Sequence, residues 1–342
     1  MTIQTPLQRY GTLGPACQEE ETLLRLFQAG MTGVRLNLSH VDLDGCGPWL
    51  EHLWEAARRA GVDHPQLLVD LRGPELRVDQ LAQPVALAEG ETVLLGEGGI
   101  PVPPIVLPSL HRGQQILLDD GALLLEAEAP AEGGVACRVI RGGTLRPRKS
   151  IALPGAGLRP PTLTPSDLRN LSLAVSCGVT GVMLPFVRDE EDLLTLRRAL
   201  EEAGGGQIRV FAKLENREGV AMLPRLLPHA DEIVIARGDL GNDLPLWELP
   251  AVQKEVAALC RQAGKPFMVV TQMLHSMHHS AVPTRAEVSD IFNAVLDGAS
   301  SIMLTGETAA GDYPVEAMTY LCKTADCALA YRERHREEGE TR

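Results

Sequence analysis

The sequence lacks three features that would each define a class of protein. Its seven cysteines are odd in number and form no C-x-x-C pair, which argues against a disulfide framework and a zinc site. No stretch approaches the roughly 18 consecutive apolar residues of a membrane span, and no charged segment followed by an apolar run opens the chain. Positive charge is also scarce, since 32 Lys and Arg face 45 Asp and Glu. We therefore expect a cytoplasmic protein that binds neither nucleic acid nor membrane, and that holds anionic ligands by local charge.

What the sequence does contain is a repeated alternation of strand-like and helix-like segments, which is typical of βα units. Two helix starts carry capping signals, at Thr164 and Thr284. Eight parallel strands with intervening helices predict a TIM (β/α)8 barrel of the α/β class. The eight predicted strands are Tyr10–Leu13, Gly33–Asn37, Gln66–Leu71, Gly181–Pro185, Arg209–Leu214, Glu232–Ala236, Pro266–Thr271 and Ser300–Thr305.

The alternation breaks between the third and fourth predicted strands. Residues 75–158 contain Pro- and Gly-rich turns and short strand-like pieces, with no evident helix. An insertion of this length predicts a small all-β domain that follows strand three, at the face where TIM barrels bind ligands, and a lid is the natural hypothesis. Residues 1–74 and 159–330 would form the barrel, and residues 331–342 a charged, solvated tail.

Polar residues that follow the predicted strands are candidates for function, because the carboxyl ends of barrel strands converge on one face. These residues include both cations and carboxylates, whereas strand interiors should be apolar. They are Arg35, Asn37, Ser39, His40, Asp70, Lys213, Glu215, Arg237, Gly238, Asp239, Thr271, Gln272, Thr305, Glu307 and Thr308.

Two carboxylates on adjacent strand ends, Glu215 and Asp239, could share a divalent cation such as Mg²⁺. The structural alternative is an ion pair with Lys213 or Arg237. Strand alternation sends Lys213 and Glu215 to the same side, and an inward lysine and acid favour a functional role over packing.

Two weaker signals lie near these strand ends. Gly238 and Gly241 could let backbone N–H groups approach an anion, although the same pattern also marks a plain turn. The histidines His275, His278 and His279 follow the seventh strand, and a surface or subunit-contact segment is the favoured interpretation over a metal site.

The residues also carry a family likeness along nearly the whole chain, and the chain resembles pyruvate kinase. The order and spacing of the motifs make the combination specific. The matching pieces are Thr12-Leu-Gly-Pro-Ala16, Arg35-Leu-Asn-Leu-Ser-His40, Asp70-Leu-Arg-Gly-Pro-Glu-Leu-Arg77, Leu118-Asp-Asp-Gly121, Lys149-Ser-Ile-Ala-Leu-Pro-Gly155, Lys213-Leu-Glu-Asn216, Ala236-Arg-Gly-Asp-Leu-Gly241, Thr271-Gln-Met-Leu274, Pro283-Thr-Arg-Ala-Glu287 and Thr305-Gly-Glu-Thr308.

The resemblance implies a phosphoryl transfer from phosphoenolpyruvate to ADP, which gives pyruvate and ATP. By similarity, Glu215 and Asp239 hold Mg²⁺ or Mn²⁺, and Lys213 stabilises the phosphoryl group in flight. Thr271 would lie by the enolate carbon and take part in its protonation, and Gly238 would offer its N–H to the substrate carboxylate. Thr305 and Glu307 would belong to the proton path.

The resemblance also implies a nucleotide site and a monovalent cation. Its phosphate contacts would come from basic residues of the barrel and of the insertion, namely Arg35, His40, Arg77 and Lys149. A K⁺ ion would be bound by Asn37, Ser39, Asp70 and the carbonyl of Leu71.

Some positions depart from the family pattern. Leu71 and Arg72 stand where Thr-Lys is usual, and such a leucine is associated with potassium-independent members, yet Glu75 is retained, so K⁺ dependence is favoured. Thr305 replaces a serine and keeps the hydroxyl. The chain also stops before the usual C-terminal effector domain, so the resemblance predicts a homodimer through the barrel-to-barrel interface.

Two other functions remain open from the sequence. A lyase or decarboxylase of the phosphoenolpyruvate/pyruvate barrel group would use the same acid-bound metal, although it would not need Arg77 and Lys149. A non-catalytic pseudo-kinase that binds phosphoenolpyruvate is the alternative from another class.

Overall fold

The computed structural model describes residues 6–74, 76–78, 80–119, 121–156 and 159–340. In the last of these ranges, side chains are described as far as residue His335. The chain folds as two compact units, of which the first comprises Met1–Gly73 and Leu163–Arg342 and the second Pro74–Thr162. All seven cysteines are free thiols. Among the described residues, no helix combines the length and the apolar character needed to cross a bilayer.

The first part of unit one contains three strands and two helices. They are β1 (Gln8–Thr12), α1 (Glu20–Gln28), β2 (Gly33–Asn37), α2 (Gly47–Ala60) and β3 (Gln66–Asp70).

Unit two consists of short strands packed on a hydrophobic cluster of its own. The strands are β4 (Leu76–Arg77), β5 (Val85–Leu87), β6 (Thr92–Gly96), β7 (Gln115–Leu118), β8 (Leu123–Ala131), β9 (Gly134–Arg141), β10 (Gly143–Leu145) and β11 (Ser150–Ala152). One antiparallel sheet has the order β4-β11-β7-β8-β9-β6, and β10 pairs with β5. The ends of the predicted insertion, Glu75 and Leu158, lie outside the described residues.

The chain then returns to unit one. The elements are α3 (Pro165–Leu173), β12 (Gly181–Leu184), α4 (Glu190–Glu202), β13 (Arg209–Leu214), α5 (Arg217–Ala221), α6 (Leu223–Leu226), β14 (Glu232–Ala236), α7 (Arg237–Asp243), α8 (Leu249–Gln262), β15 (Phe267–Val270), α9 (Arg285–Leu296), β16 (Ser301–Leu304), α10 (Gly306–Ala309) and α11 (Pro314–Glu340). Helix α11 continues through residues 331–340, which the sequence predicts as a tail, and Tyr331 stacks there on His335 with ring centroids 4.0 Å apart.

Eight parallel strands close into a barrel in the order β1-β16-β15-β14-β13-β12-β3-β2. The predicted TIM barrel is thereby confirmed. Both predicted N-caps are present, and each forms a capping box: Thr164 accepts a hydrogen bond from the Asp167 N–H, and Thr284 accepts one from the Glu287 N–H.

The barrel interior is packed in layers, as expected when alternate residues of each strand point inward. The middle of the barrel is apolar, with Tyr10, Leu68, Phe211 and Met268 all in one buried cluster. Two residues further along three of the same strands stand Thr12, Asp70 and Lys213. The layer at the carboxyl ends of the strands is therefore polar, and the candidate site lies there.

Candidate active site

Asp70, at the end of β3, is the anionic centre of the polar layer and is 2% exposed. Its carboxylate accepts hydrogen bonds from Arg35 Nη2 at 2.5 Å and from Lys213 Nζ at 3.1 Å. Burial alone would raise the pKa of Asp70, but the charges of Lys213 and Arg35 outweigh burial and lower it. Asp70 is therefore ionised and holds two cations on the carboxyl-end face of the barrel.

Glu215 lies two residues after Lys213 and is also buried. Lys213 Nζ lies 2.8 Å from Glu215 Oε1, and the Phe186 N–H donates to Oε2 at 2.7 Å. Phe186 itself has φ +53°, so a strained backbone after β12 fixes this carboxylate. Burial raises the pKa of Glu215 to about 7, with Asp239 and Asp70 adding to the effect of burial and Lys213 opposing it. Glu215 is thus a buried carboxyl group whose negative charge its surroundings disfavour.

The donor set around Glu215 suits a hard divalent cation. Asp239 lies in the first turn of α7, close enough for its charge to raise the pKa of Glu215. Burial, Asp239 and Asp70 all disfavour the charge on Glu215, and a bound cation would offset that cost. In the part of the chain that the structure describes, no group of three or more His, Cys, Asp or Glu is arranged to hold a metal. A cation here would complete its shell with water and substrate oxygens, as Mg²⁺ does.

The structural alternative for Glu215 and Asp239 was an ion pair with Lys213 or Arg237, and one such pair forms. Glu215 does pair with Lys213, and alternation correctly predicts that both point to the same side. Arg237 instead directs its Nη1 to Asp290 at 2.8 Å and its Nη2 to the Thr271 carbonyl at 2.7 Å. Arg237 therefore links β14, the segment after β15 and helix α9.

The end of β16 places a hydroxyl residue, Thr305, beside a buried acid, Glu307. Glu307 is 1% exposed, and its Oε2 accepts the Thr305 N–H at 2.8 Å and the Thr305 hydroxyl at 3.2 Å. Its Oε1 accepts the Leu274 N–H at 3.2 Å. Glu307 thus ties together the segments that follow β15 and β16.

A pocket of about 510 Å³ adjoins the charged layer and shares Arg35 with it. This volume falls in the range of small-molecule sites. Four of its residues, Arg35, Asn37, His40 and Thr305, are predicted site residues, whereas Thr12 entered only as part of a family motif and Trp49 was not predicted. The polar and aromatic residues lining it are Thr12, Arg35, Asn37, His40, Trp49 and Thr305.

The residues expected to bind a monovalent cation lie partly together. Asn37 and Asp70 are register partners on β2 and β3, and Asn37 Oδ1 accepts the Ser39 N–H at 3.1 Å. Arg72, which departs from the family pattern, donates from Nε to the Leu38 carbonyl at 2.6 Å. Glu75, whose retention favoured K⁺ dependence, lies outside the described residues.

Other residues that the sequence singles out have local partners. In unit two, Arg77 Nη1 donates to the Arg148 carbonyl at 2.9 Å, and Lys149 pairs with Asp119 at 2.7 Å. In unit one, His279 Nδ1 lies 3.0 Å from Asp312 Oδ2.

Comparison with known proteins decides the family. The model of the pyruvate kinase barrel domain matches residues 8–318. The chain belongs to the pyruvate kinase family. It is 37% identical over 336 residues to a pyruvate kinase of Geobacillus stearothermophilus and 39% identical over 331 residues to one of Mycobacterium intracellulare.

The matches cover almost all of this chain but only part of those relatives. The aligned segment is 94% of this chain and 57% of the Geobacillus protein, and 93% of this chain and 69% of the Mycobacterium protein. The chain thus spans little more than half the length of several curated family members.

Proposed function

We propose that this chain transfers a phosphoryl group from phosphoenolpyruvate to ADP and forms pyruvate and ATP. The observation that carries the proposal is the buried layer of Asp70, Lys213 and Glu215, with Asp239 beside it, at the carboxyl end of a pyruvate kinase family barrel. Phosphoryl transfer needs little covalent chemistry from the protein and depends on positioned charge, which this layer supplies.

Glu215 and Asp239 are the residues that would hold a divalent cation, Mg²⁺ or Mn²⁺. When bound, the cation supplies positive charge next to the oxygens of the enolate and of the phosphoryl group. Burial is the main cause of the raised pKa of Glu215, and the charges of Asp239 and Asp70, which add to it, support this assignment. The N–H of Gly238, the residue before Asp239, would bind the substrate carboxylate.

Lys213 would carry the main electrostatic role. Although burial lowers the pKa of this lysine, the charges of Asp70 and Glu215 raise it above its usual value, so it stays an ammonium group at every working pH. A buried, fixed ammonium stabilises negative charge on a transferring phosphoryl group far better than an exposed one. Arg35 would join Lys213 on the phosphate oxygens, because it also lines the adjacent pocket.

The proton that converts the enolate to pyruvate would be delivered at Thr271, which follows β15. Thr305 and Glu307, at the end of β16, would connect Thr271 with solvent. The two oxygens of Glu307 already accept three hydrogen bonds, which favours a bracing role for Glu307 within that path.

The pocket beside Arg35 would hold ADP, with Arg35 and His40 near its phosphates and the Trp49 ring near its base. Binding of nucleotide phosphates by Arg77 and Lys149, and of K⁺ by Asn37, Ser39, Asp70 and Leu71, stays a prediction. The cytoplasmic location and the homodimer stay predictions as well.

An assay of both products tests the proposal. The purified chain is incubated with phosphoenolpyruvate, ADP and Mg²⁺, with and without K⁺, and ATP and pyruvate are measured together. We expect equal amounts of ATP and pyruvate, formed faster with K⁺. Substrate consumption without ATP would indicate a lyase, binding without turnover would indicate a pseudo-kinase, and either result would contradict the proposal.

A further inference from the structure

The backbone just after β15 is strained, because two residues other than glycine have positive φ there. Thr271 has φ +79° and Gln272 has φ +55°, and neither is glycine. A β-branched residue at positive φ is a genuine outlier, and such strain persists only where surrounding contacts enforce it. The contacts that enforce it here therefore identify residues that position Thr271.

Arg237 makes the dominant contact. Its Nη2 and Nε both donate to the Thr271 carbonyl, at 2.7 and 3.2 Å. The same guanidinium is anchored by Asp290 of α9 at 2.8 Å, and the Arg237 side chain is only 12% exposed. The Thr271 carbonyl is thus held by a buried, charge-assisted fork that is itself fixed at its other end.

Gly238, the next residue, faces the side chain of Thr271 and leaves room for it. A Cβ at Gly238 would lie 3.0 Å from Thr271 Cγ2 and 3.7 Å from Thr271 Oγ1. The threonine methyl therefore packs against a position that only glycine leaves open. Arg237 thus holds the backbone of Thr271, and Gly238 leaves the room that its side chain occupies.

We propose that Arg237 is a positioning residue for proton transfer at Thr271. By holding the Thr271 carbonyl, it fixes the strained backbone and so the direction of the hydroxyl toward the substrate methylene carbon. The role rests on the function proposed above. In the forward step, C3 of the enolate forms a C–H bond with the proton from the hydroxyl, the enolate oxygen becomes the ketone, and solvent returns a proton to Thr271. In reverse, a C3–H bond of pyruvate breaks and the proton leaves to solvent.

The reverse step gives a readout that is separate from phosphoryl transfer. Pyruvate is incubated with the protein and Mg²⁺ in D2O, and loss of the methyl signal is followed by proton NMR. We expect Arg237→Met to lower kcat for exchange by about 100-fold, since a misplacement near 1 Å has that cost, with little change in KM. Arg237→Lys keeps a donor for the Thr271 carbonyl and should recover part of the lost kcat. Asp290→Asn, which weakens the anchor of Arg237, should lower kcat for exchange several-fold.

A double-mutant cycle separates positioning from general structure. If Arg237 acts through Thr271, Arg237→Met should slow exchange no further in a Thr271→Ala background. The proposal would be overturned if the losses in kcat of the two single variants multiply in the double variant. It would also be overturned if Arg237→Met changes only KM. Arg261→Met is the matched control, because Arg261 also donates to a backbone carbonyl, that of Asp297, but on the exposed surface.

The outcomes distinguish the two proposals. A wild-type chain that forms no ATP and exchanges no methyl proton overturns the proposed function and the role of Arg237 together. A wild-type chain that does both, with an Arg237→Met variant of unchanged kcat for exchange, overturns the role of Arg237 alone. If thermal unfolding shows that Arg237→Met does not fold, Asp290→Asn keeps the test decisive, because an unchanged kcat for exchange in that variant would also overturn the role.

Discussion

At the scale of single residues, the buried ammonium of Lys213 governs the site. Lys213→Met should lower kcat for ATP formation by at least about 10²- to 10³-fold, because it removes a preorganised charge from the transferring group. Binding of Mn²⁺ should persist, since Glu215 and Asp239 remain and Arg35 still pairs with Asp70. Steady-state kinetics and a Mn²⁺ titration measure the two effects.

Lys254→Met is the control for this change, because Lys254 pairs with Asp297 on the exposed face of α8. Its kinetics should match those of the wild type. Unchanged turnover in Lys213→Met would contradict the role given to Lys213.

The pocket makes a second residue-scale prediction, because Trp49 lines it. ADP should change the intrinsic fluorescence of the wild-type chain, and Trp49→Phe should lose most of that change. Trp247→Phe, at an 82% exposed position, should keep it. A full response in Trp49→Phe would place the nucleotide elsewhere.

Some of these residues could be predicted from the sequence and others could not. Lys213 and Glu215 lie two apart on a strand, so alternation alone predicts that they share a side. The Phe186 N–H that binds Glu215 could not be predicted, because a backbone donor has no sequence signature. The sequence indicates Arg237 as a strand-end candidate and as an ion-pair partner of the acids, but its actual partners lie in segments distant in sequence and could not be predicted.

At the scale of elements, the cap of α9 does more than start a helix. Glu287 closes the capping box with Thr284 and also accepts the Ser276 N–H at 2.7 Å, in the segment after β15. Thr284→Ala should therefore cost about 1 kcal/mol, the usual cost of a lost cap, and Glu287→Ala should cost more. Urea unfolding measures both, and equal costs would show that the bond to Ser276 contributes nothing.

The base of the barrel depends on two glycines that face aromatic rings. A Cβ at Gly181 would lie 2.5 Å from Phe211 Cε2, and one at Gly33 would lie 2.9 Å from Tyr10 Cε1. Gly181→Ala should destabilise the chain by about 1–3 kcal/mol through overpacking. Gly45→Ala is the control, since nothing lies within 4 Å of its Cβ position, and an equal effect of both would contradict this packing account.

The elements themselves were well predicted where the pattern was strong. The eight barrel strands agree with prediction to within one or two residues at each end, because buried parallel strands are nearly continuous apolar runs. Helix α11 was predicted too short, because its last residues are charged and carry no apolar periodicity, although helix propensity alone can extend a final helix.

At the scale of the whole molecule, one buried acid should make stability depend on pH. Glu232 is 1% exposed, and burial raises its pKa more than Ser301 and Arg209 lower it. The folded state therefore binds this proton more tightly than the unfolded state, so stability should fall as pH rises above the ordinary carboxyl pKa of 4.5.

Glu232→Gln should flatten that decline, as measured by urea unfolding between about pH 5 and pH 8. Glu255 is exposed, so Glu255→Gln should leave the decline of stability with pH as in the wild type. A decline of the same slope in Glu232→Gln would contradict the assignment to this residue.

The whole account rests on a charged layer that performs cation-dependent phosphoryl transfer. The most direct test is the rate of ATP formation from phosphoenolpyruvate and ADP as Mg²⁺ is titrated, for the wild type and for Asp239→Asn. We expect a saturable dependence on Mg²⁺ in the wild type, and in Asp239→Asn a requirement for at least about tenfold more Mg²⁺ with a lower maximal rate. ATP formation that is absent, or that is the same in both proteins, would contradict the account.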